Sequence, residues 1–245
     1  MNGKDWAIRS GVAISKLNDE QKHQLIDSLS AVINPQRQLL LQNILSQRTR
    51  HLSVVLEDIY QAQNASAVIR SAECMGIQEI HIIENSNPYQ INPAVVQGAS
   101  KWMEIHRYKD EAKDNTLQCL STLKERGYTL VAMTLREESR SLEQVDLDKP
   151  LALCFGSEEP GLSELAHEMA DVYVQIPMLG FTQSLNLSVS AGISLHQLGA
   201  RLRASSVDWQ LAEPDKTDLY IDWLSKSTPT GKALLEKFIR TVAKD

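Results

Sequence analysis

The sequence predicts an α/β fold: a mostly parallel sheet with helices on both faces, and a helical extension at each end. Two observations carry the prediction. From Leu52 to Arg203 short runs rich in Val, Ile and Leu alternate with stretches of helical length, as in strands covered on both sides by crossover helices. Before Leu52 and after Arg203 the strand-like runs stop and only helical patterns remain. At 245 residues and 42% hydrophobic, the chain is long enough to bury a full core.

Each element follows from local signals. Asn18-Asp-Glu-Gln21 has the character of a capping box, and Pro35 opens a second helix, so residues 18–47 read as a helical pair. Strands are expected at Leu52–Leu56, Glu79–Ile83, Met103–Tyr108, Thr129–Met133, Leu151–Phe155 and Val172–Ile176. Between and after them, helices are expected at Ser66–Met75, Ala112–Arg126, Leu162–Met169 and Leu185–Arg203. Ala204-Ser-Ser-Val-Asp208 loosens the pattern before two more helices, Leu211–Leu224 and Lys232–Val242. The chain therefore divides into a helical extension at 1–50, an α/β domain at 51–203 and a second extension at 204–245.

Composition narrows the function. Cys74, Cys119 and Cys154 lie far apart without ligand spacing, which reads as reduced, buried packing and gives no metal site. No run approaches the roughly 18 apolar residues of a membrane span, and the first residues carry no apolar leader, so a cytoplasmic protein is expected. The net charge of −6 argues at first against a polyanionic partner. Its distribution changes that: residues 1–51 hold seven Lys/Arg against four Asp/Glu, 52–200 ten against twenty, and 201–245 eight against seven. Arg48-Thr-Arg50-His51, with Arg9, Lys16 and Lys22 ahead of it, makes a local footprint for RNA, the plainer reading being solvated helix faces.

Three polar loops each follow an apolar strand, where ligands gather in doubly wound sheets: Asn64-Ala-Ser-Ala-Val-Ile-Arg70, Gly156-Ser-Glu-Glu-Pro-Gly161, and the stretch from Ile176 to Ile193. In the third, Gly180, Thr182, Gln183, Ser184 and Asn186 stand at a helix mouth, whose N–H groups are unpaired. The second has P-loop spacing, but Leu162 stands where the phosphate-binding Lys belongs, and the chain has no G-x-G-x-x-G. A nucleotide-phosphate enzyme on this loop is therefore the weaker alternative.

In these loops the chain resembles the SpoU/TrmH branch of the SPOUT RNA methyltransferases, over roughly Arg48 to Arg203. Asn64 and Arg70 match the family's Asn-x5-Arg element, Gly156 to Gly161 its Gly-[Asn/Ser/Thr]-Glu-x-x-Gly loop, and Ile176 to Val189 its Ile-Pro-Met-x-Gly...Ser-Leu-Asn-x-Ser-Val run. The resemblance implies S-adenosylmethionine bound in a deep C-terminal trefoil knot, here at about 151–203, a homodimer formed through the knot helix, and methylation of a ribose 2′-hydroxyl in tRNA or ribosomal RNA. A D-loop guanosine of tRNA is the favoured acceptor, and a non-catalytic RNA-binding protein of the same fold is the remaining alternative.

The same resemblance assigns the residues. Asn64, Arg70, Glu158, Ser184 and Asn186 are the expected catalytic set, Gly156, Ile176, Met178 and Leu185 the expected donor contacts, and Arg48, Arg50 and His51 the RNA contacts. Arg70 is assigned to the acceptor hydroxyl; the matching family arginine is taken as the base. A guanidinium essentially never deprotonates in a folded protein, so a backbone phosphate held bidentately by Arg70 is the better proton acceptor. Taken alone, Arg70 reads as a helix arginine pairing with Glu73, Glu158 as a carboxylate favoured by a helix N-terminus, and Ser184 as a helix cap. Glu158 is expected to reach Ser184 or Asn186 and so fix the third loop.

Overall fold

The computed structural model describes residues 14–136 and 138–242; Arg9 lies outside them. The chain forms two compact units, one of residues 49–209 and one that joins residues 1–48 to residues 210–245. The two terminal extensions thus belong to a single unit.

In the larger unit the described strands are β1 (Leu52–Glu57), β2 (Glu79–Ile83), β3 (Glu104–Tyr108), β4 (Thr129–Met133), β5 (Leu151–Phe155) and β6 (Val172–Val174). They form one sheet in the order β3-β2-β1-β5-β4-β6, with every pairing parallel. β5 is inserted between β1 and β4, with Val54 level with Leu153 and Leu153 level with Val131. The direction of winding therefore reverses between β1 and β5, and the crevice at their carboxyl ends is the expected ligand position.

The two-residue period of the strands decides which helix covers which face. Leu52, Val54, Leu56, Leu151, Leu153 and Phe155 pack with Ala65, Val68, Ile69 and Ala72 of α3 (Ala62–Cys74) and with Leu187, Ala191, Leu195, Leu198 and Leu202 of α7 (Leu187–Ala204). On the opposite face Val55, Ile83, Leu130, Ala132, Ala152 and Cys154 pack with Cys119, Leu120 and Leu123 of α5 (Asn115–Glu125) and with Leu162 and Ala166 at α6 (Glu164–Met169). A short α4 (Pro93–Val96) lies in the connection from β2 to β3. Cys119 and Cys154 are buried as expected, whereas Cys74, at the end of α3, is exposed.

The smaller unit is helical: α1 (Asp19–Ser30), α2 (Pro35–Leu45), α8 (Glu213–Ser227) and α9 (Pro229–Val242). The capping box is present, with Asn18 Oδ1 accepting from the Gln21 N–H at 2.9 Å and Gln21 Oε1 from the Asn18 N–H at 3.0 Å. α8 packs against α1, α2 and α9 and buries Ile221, Trp223 and Leu224.

Candidate functional site

Local sequence places three polar groups at the crevice between β1 and β5. α3 begins at Ala62, earlier than the pattern predicted, so Asn64 sits in a helical first turn and is buried while Glu158 and Asn186 are exposed. Gly156 ends β5, and the loop after it folds back as a tight hairpin: Ser157 and Gly161 exchange two main-chain hydrogen bonds of 3.1 Å, and Gly161 takes a left-handed φ of +72°. A Cβ on Gly156 would lie 2.0 Å from the Gly161 carbonyl carbon, so only glycine fits there. With the Ser157 and Gly161 N–H groups bonded inside the hairpin, this is not a phosphate cradle of the P-loop kind. Asn186, not Ser184, caps α7, its Oδ1 accepting from the Ser188 N–H at 2.9 Å.

These groups form one hydrogen-bonded chain. Asn64 Nδ2 donates to Glu158 Oε1 at 2.6 Å, and Asn186 Nδ2 donates to Asn64 Oδ1 at 3.1 Å. Because Asn186 Oδ1 also accepts from the Ser188 hydroxyl at 2.6 Å, both amides have fixed orientations. Three segments distant in sequence are thereby joined at the carboxyl edge of the sheet. The link from Glu158 to Asn186 runs through Asn64 rather than directly, and Ser188, which steadies Asn186, was not anticipated.

The remaining expected residues divide. Ser184, two residues before Asn186, is exposed and takes no part in this hydrogen-bonded chain. Arg70 is exposed on α3 with no hydrogen bond or ion pair among the described residues. It lies six positions after Asn64, which at about 100° per residue turns it about 240° around the helix, so it does not share Asn64's face. Ile176 packs at the margin of the core; Met178 is half-buried, and Leu185 is exposed. Among the described residues no main-chain N–H or C=O from 176 to 185 enters a backbone hydrogen bond, and Leu179 and Phe181 are fully exposed at 101% and 108%.

The three residues expected before the first strand as RNA contacts all engage protein groups. Arg48 is only 1% exposed and lies over the Trp223 ring at 5.2 Å. Arg50 Nη2 binds both oxygens of Glu104, at 2.8 and 2.9 Å. His51 is buried, its Nε2 2.6 Å from the Leu147 carbonyl oxygen. Arg48 and His51 are thus buried against protein groups, while the Arg50 guanidinium, 22% exposed, is paired with Glu104.

One titratable cluster lies at the opposite edge of the sheet. The ligand atoms of Glu79, His81 and His106 all lie within 4.8 Å of one another. The two imidazoles are stacked, with centroids 4.7 Å apart and planes at 19°, so their nitrogen lone pairs lie in nearly parallel planes instead of converging on an ion. Glu79 is already engaged by Arg126 Nη2 at 2.9 Å from each oxygen and by the Tyr128 hydroxyl at 2.6 Å. The cluster reads as an ion-pair network around the buried Glu79.

A doubly covered parallel sheet with a polar chain at its switch point defines the class: an α/β protein whose ligand loops follow β1, β5 and β6. The chain belongs to the SpoU rRNA Methylase family, whose profile matches residues 51–196. It is 40% identical over 205 residues to the tRNA (guanosine(18)-2'-O)-methyltransferase of Borreliella burgdorferi, covering 84% of this chain and 92% of that protein. The Thermus thermophilus protein of the same description is 34% identical over 192 residues, covering 78% and 96%. The crystal structure of an Aquifex aeolicus TrmH/SpoU tRNA modifying enzyme matches with a TM-score of 0.62 at 29% identity, covering 84% of this chain and 96% of that one.

Proposed function

We propose that this protein transfers a methyl group from S-adenosylmethionine to the ribose 2′-hydroxyl of guanosine 18 in the D loop of tRNA. The hydrogen-bonded chain Glu158–Asn64–Asn186 carries the reading, because it unites the family's three motifs at one point. The relatives described as acting on that nucleotide support the choice of acceptor. All five expected catalytic residues are present, which counts against a non-catalytic RNA-binding role.

S-adenosylmethionine supplies an electrophilic methyl group when bound. The chain fits it at residues 176–185, where free main-chain donors and acceptors stand beside the apolar Ile176, Met178 and Leu185, as reading an adenine edge requires, with Gly156 across the crevice. Glu158 and Asn186 hold these loops through Asn64. Arg70, exposed and unpaired, orients the acceptor through a backbone phosphate that takes the hydroxyl proton.

We further propose that residues 151–203 form the knot, that two copies associate, and that the protein works in the cytoplasm. Val189 and Ile193, one turn apart on α7, are exposed together with Leu185, Leu179 and Phe181; this apolar face supports a second copy as its occupant. Ala191 and Ser194, small residues of the same helix, face the chain's own core. Arg70's turn away from Asn64 fits a site completed by two protomers. Among the described residues no helix is long and apolar enough to cross a membrane. The helical unit, described over 14–48 and 210–242, is proposed to bind the RNA.

The test is methyl transfer to an unmodified tRNA transcript, with the product mapped for 2′-O-methylation. Transfer to nucleotide 18, abolished by 2′-deoxyguanosine there, is expected. Transfer to ribosomal RNA alone would overturn the choice of substrate, and none to either would overturn the enzyme reading.

A further inference from the structure

Glu57 is buried at the carboxyl end of β1 and has no part in the site as described. The strand's alternation turns it away from α3, toward the face covered by α5 and α6. There its Oε2 accepts the Ser163 N–H at 2.8 Å, and its Oε1 accepts the Ser163 hydroxyl at 2.7 Å and the Thr116 hydroxyl at 2.7 Å. Ser163 closes the hairpin loop that carries Glu158, and its Oγ also caps α6 by accepting from the Ala166 N–H at 3.1 Å.

We propose that Glu57 is a positioning residue for methyl transfer, clamping the Glu158 loop against the strand from which the Asn64 segment departs. The connections close a ring. The chain runs from Glu57 to Asn64, Asn64 bonds Glu158, the chain continues to Ser163, and Ser163 bonds back to Glu57 twice. Without the Ser163 bonds, the loop stays tethered through β5 and the buried Leu162, but the end nearest Glu57 is free to shift, and a shift of the order of 1 Å is enough to impair a catalytic geometry. A charged acceptor suits the task. It takes both Ser163 donors at once, whereas the amide of Gln would turn a donor toward one of them.

The proposal rests on the methyltransferase reading, and the experiment separates the two. Turnover on tRNA is measured for wild type, Glu57→Gln, Ser163→Ala, Ser163→Thr and Thr116→Val, and for Glu57→Gln in an Asn64→Ala background. Glu57→Gln and Ser163→Ala are expected to lower kcat about tenfold, Ser163→Thr to restore most of it, and Thr116→Val to stay within twofold of wild type. In the Asn64→Ala background, Glu57→Gln should add nothing further, since the clamp acts through that contact. Equal losses from Thr116→Val and Ser163→Ala, or additive losses with Asn64→Ala, would mean that Glu57 is only a fold anchor and overturn the proposal. Hydrogen exchange gives a readout independent of activity: Glu57→Gln should speed exchange at 157–162 while β1 and β5 keep their protection. An unchanged loop would overturn the clamp even if wild type methylates nothing.

Discussion

Glu79 shows how strongly a single buried residue depends on its partners. Burial alone would push its carboxyl up, but His106 and His81, each with Nε2 3.7 Å from a Glu79 oxygen, and the Tyr128 hydroxyl outweigh it and hold the group far below the usual carboxylate range. Burial pushes the His81 imidazole down, toward its neutral form. Both folded values lie below the unfolded ones, so the stability these groups contribute is present above the unfolded values and is lost as pH falls below them. Glu79→Gln is expected to cost about 2 kcal/mol at pH 7, because it leaves Arg126 without its carboxylate. The difference from wild type should shrink below about pH 4, where the unfolded glutamate is protonated. Denaturant melts at several pH values check this; a loss that grows on acidification would refute it. Arg70 makes the opposite case, an exposed cation with nothing to hold in the fold. Arg70→Ala is expected to lower turnover at least a hundredfold while leaving S-adenosylmethionine affinity and melting temperature within error, and calorimetric loss of donor binding would show the assignment to be mistaken.

At the scale of elements, the start of α7 performs two tasks through one side chain. Asn186 caps the helix with its carbonyl oxygen and reaches Asn64 with its amide. Asn186→Ser keeps a competent cap, so stability should change by less than about 0.5 kcal/mol. It removes the bond to Asn64, and turnover should fall about tenfold or more. A variant that keeps full activity would show that the amide bond is dispensable. α3 also serves twice, its buried face supplying both core residues and Asn64 while Arg70 lies elsewhere on its surface.

For the whole molecule, the decisive feature is the apolar surface left open on α7 and the loop before it. Replacing Val189 and Ile193 together with Glu would put two charges on that face without touching the buried side, where Leu187, Ala191, Leu195 and Leu198 pack. Wild type is expected to sediment as a dimer at micromolar concentration and the double variant as a folded monomer. Activity should disappear with the dimer if Arg70 serves its partner's site. A wild-type monomer would remove the basis for a shared site.

The strand and helix sequence was legible from the chain alone because strands such as β1 and β5 carry a complete apolar face, and the glutamate loop and asparagine motifs were legible as resemblances. Helix boundaries shifted by a few residues, most at α3, where Gln61 opens the helix without a side-chain cap that sequence could signal. Charge was the least legible property. Arg48, Arg50 and His51 form an evident basic cluster, yet side chains adjacent in sequence diverge to different partners, and whether a cation meets water or Trp223 depends on which distant segment packs over it. Tertiary structure likewise decided that Asn64 links Glu158 to Asn186, because the insertion of β5 beside β1 brings together segments more than 90 residues apart. Periodicity, a local property, fixes which residues face inward; contacts between distant segments exist only once the strands have taken their order.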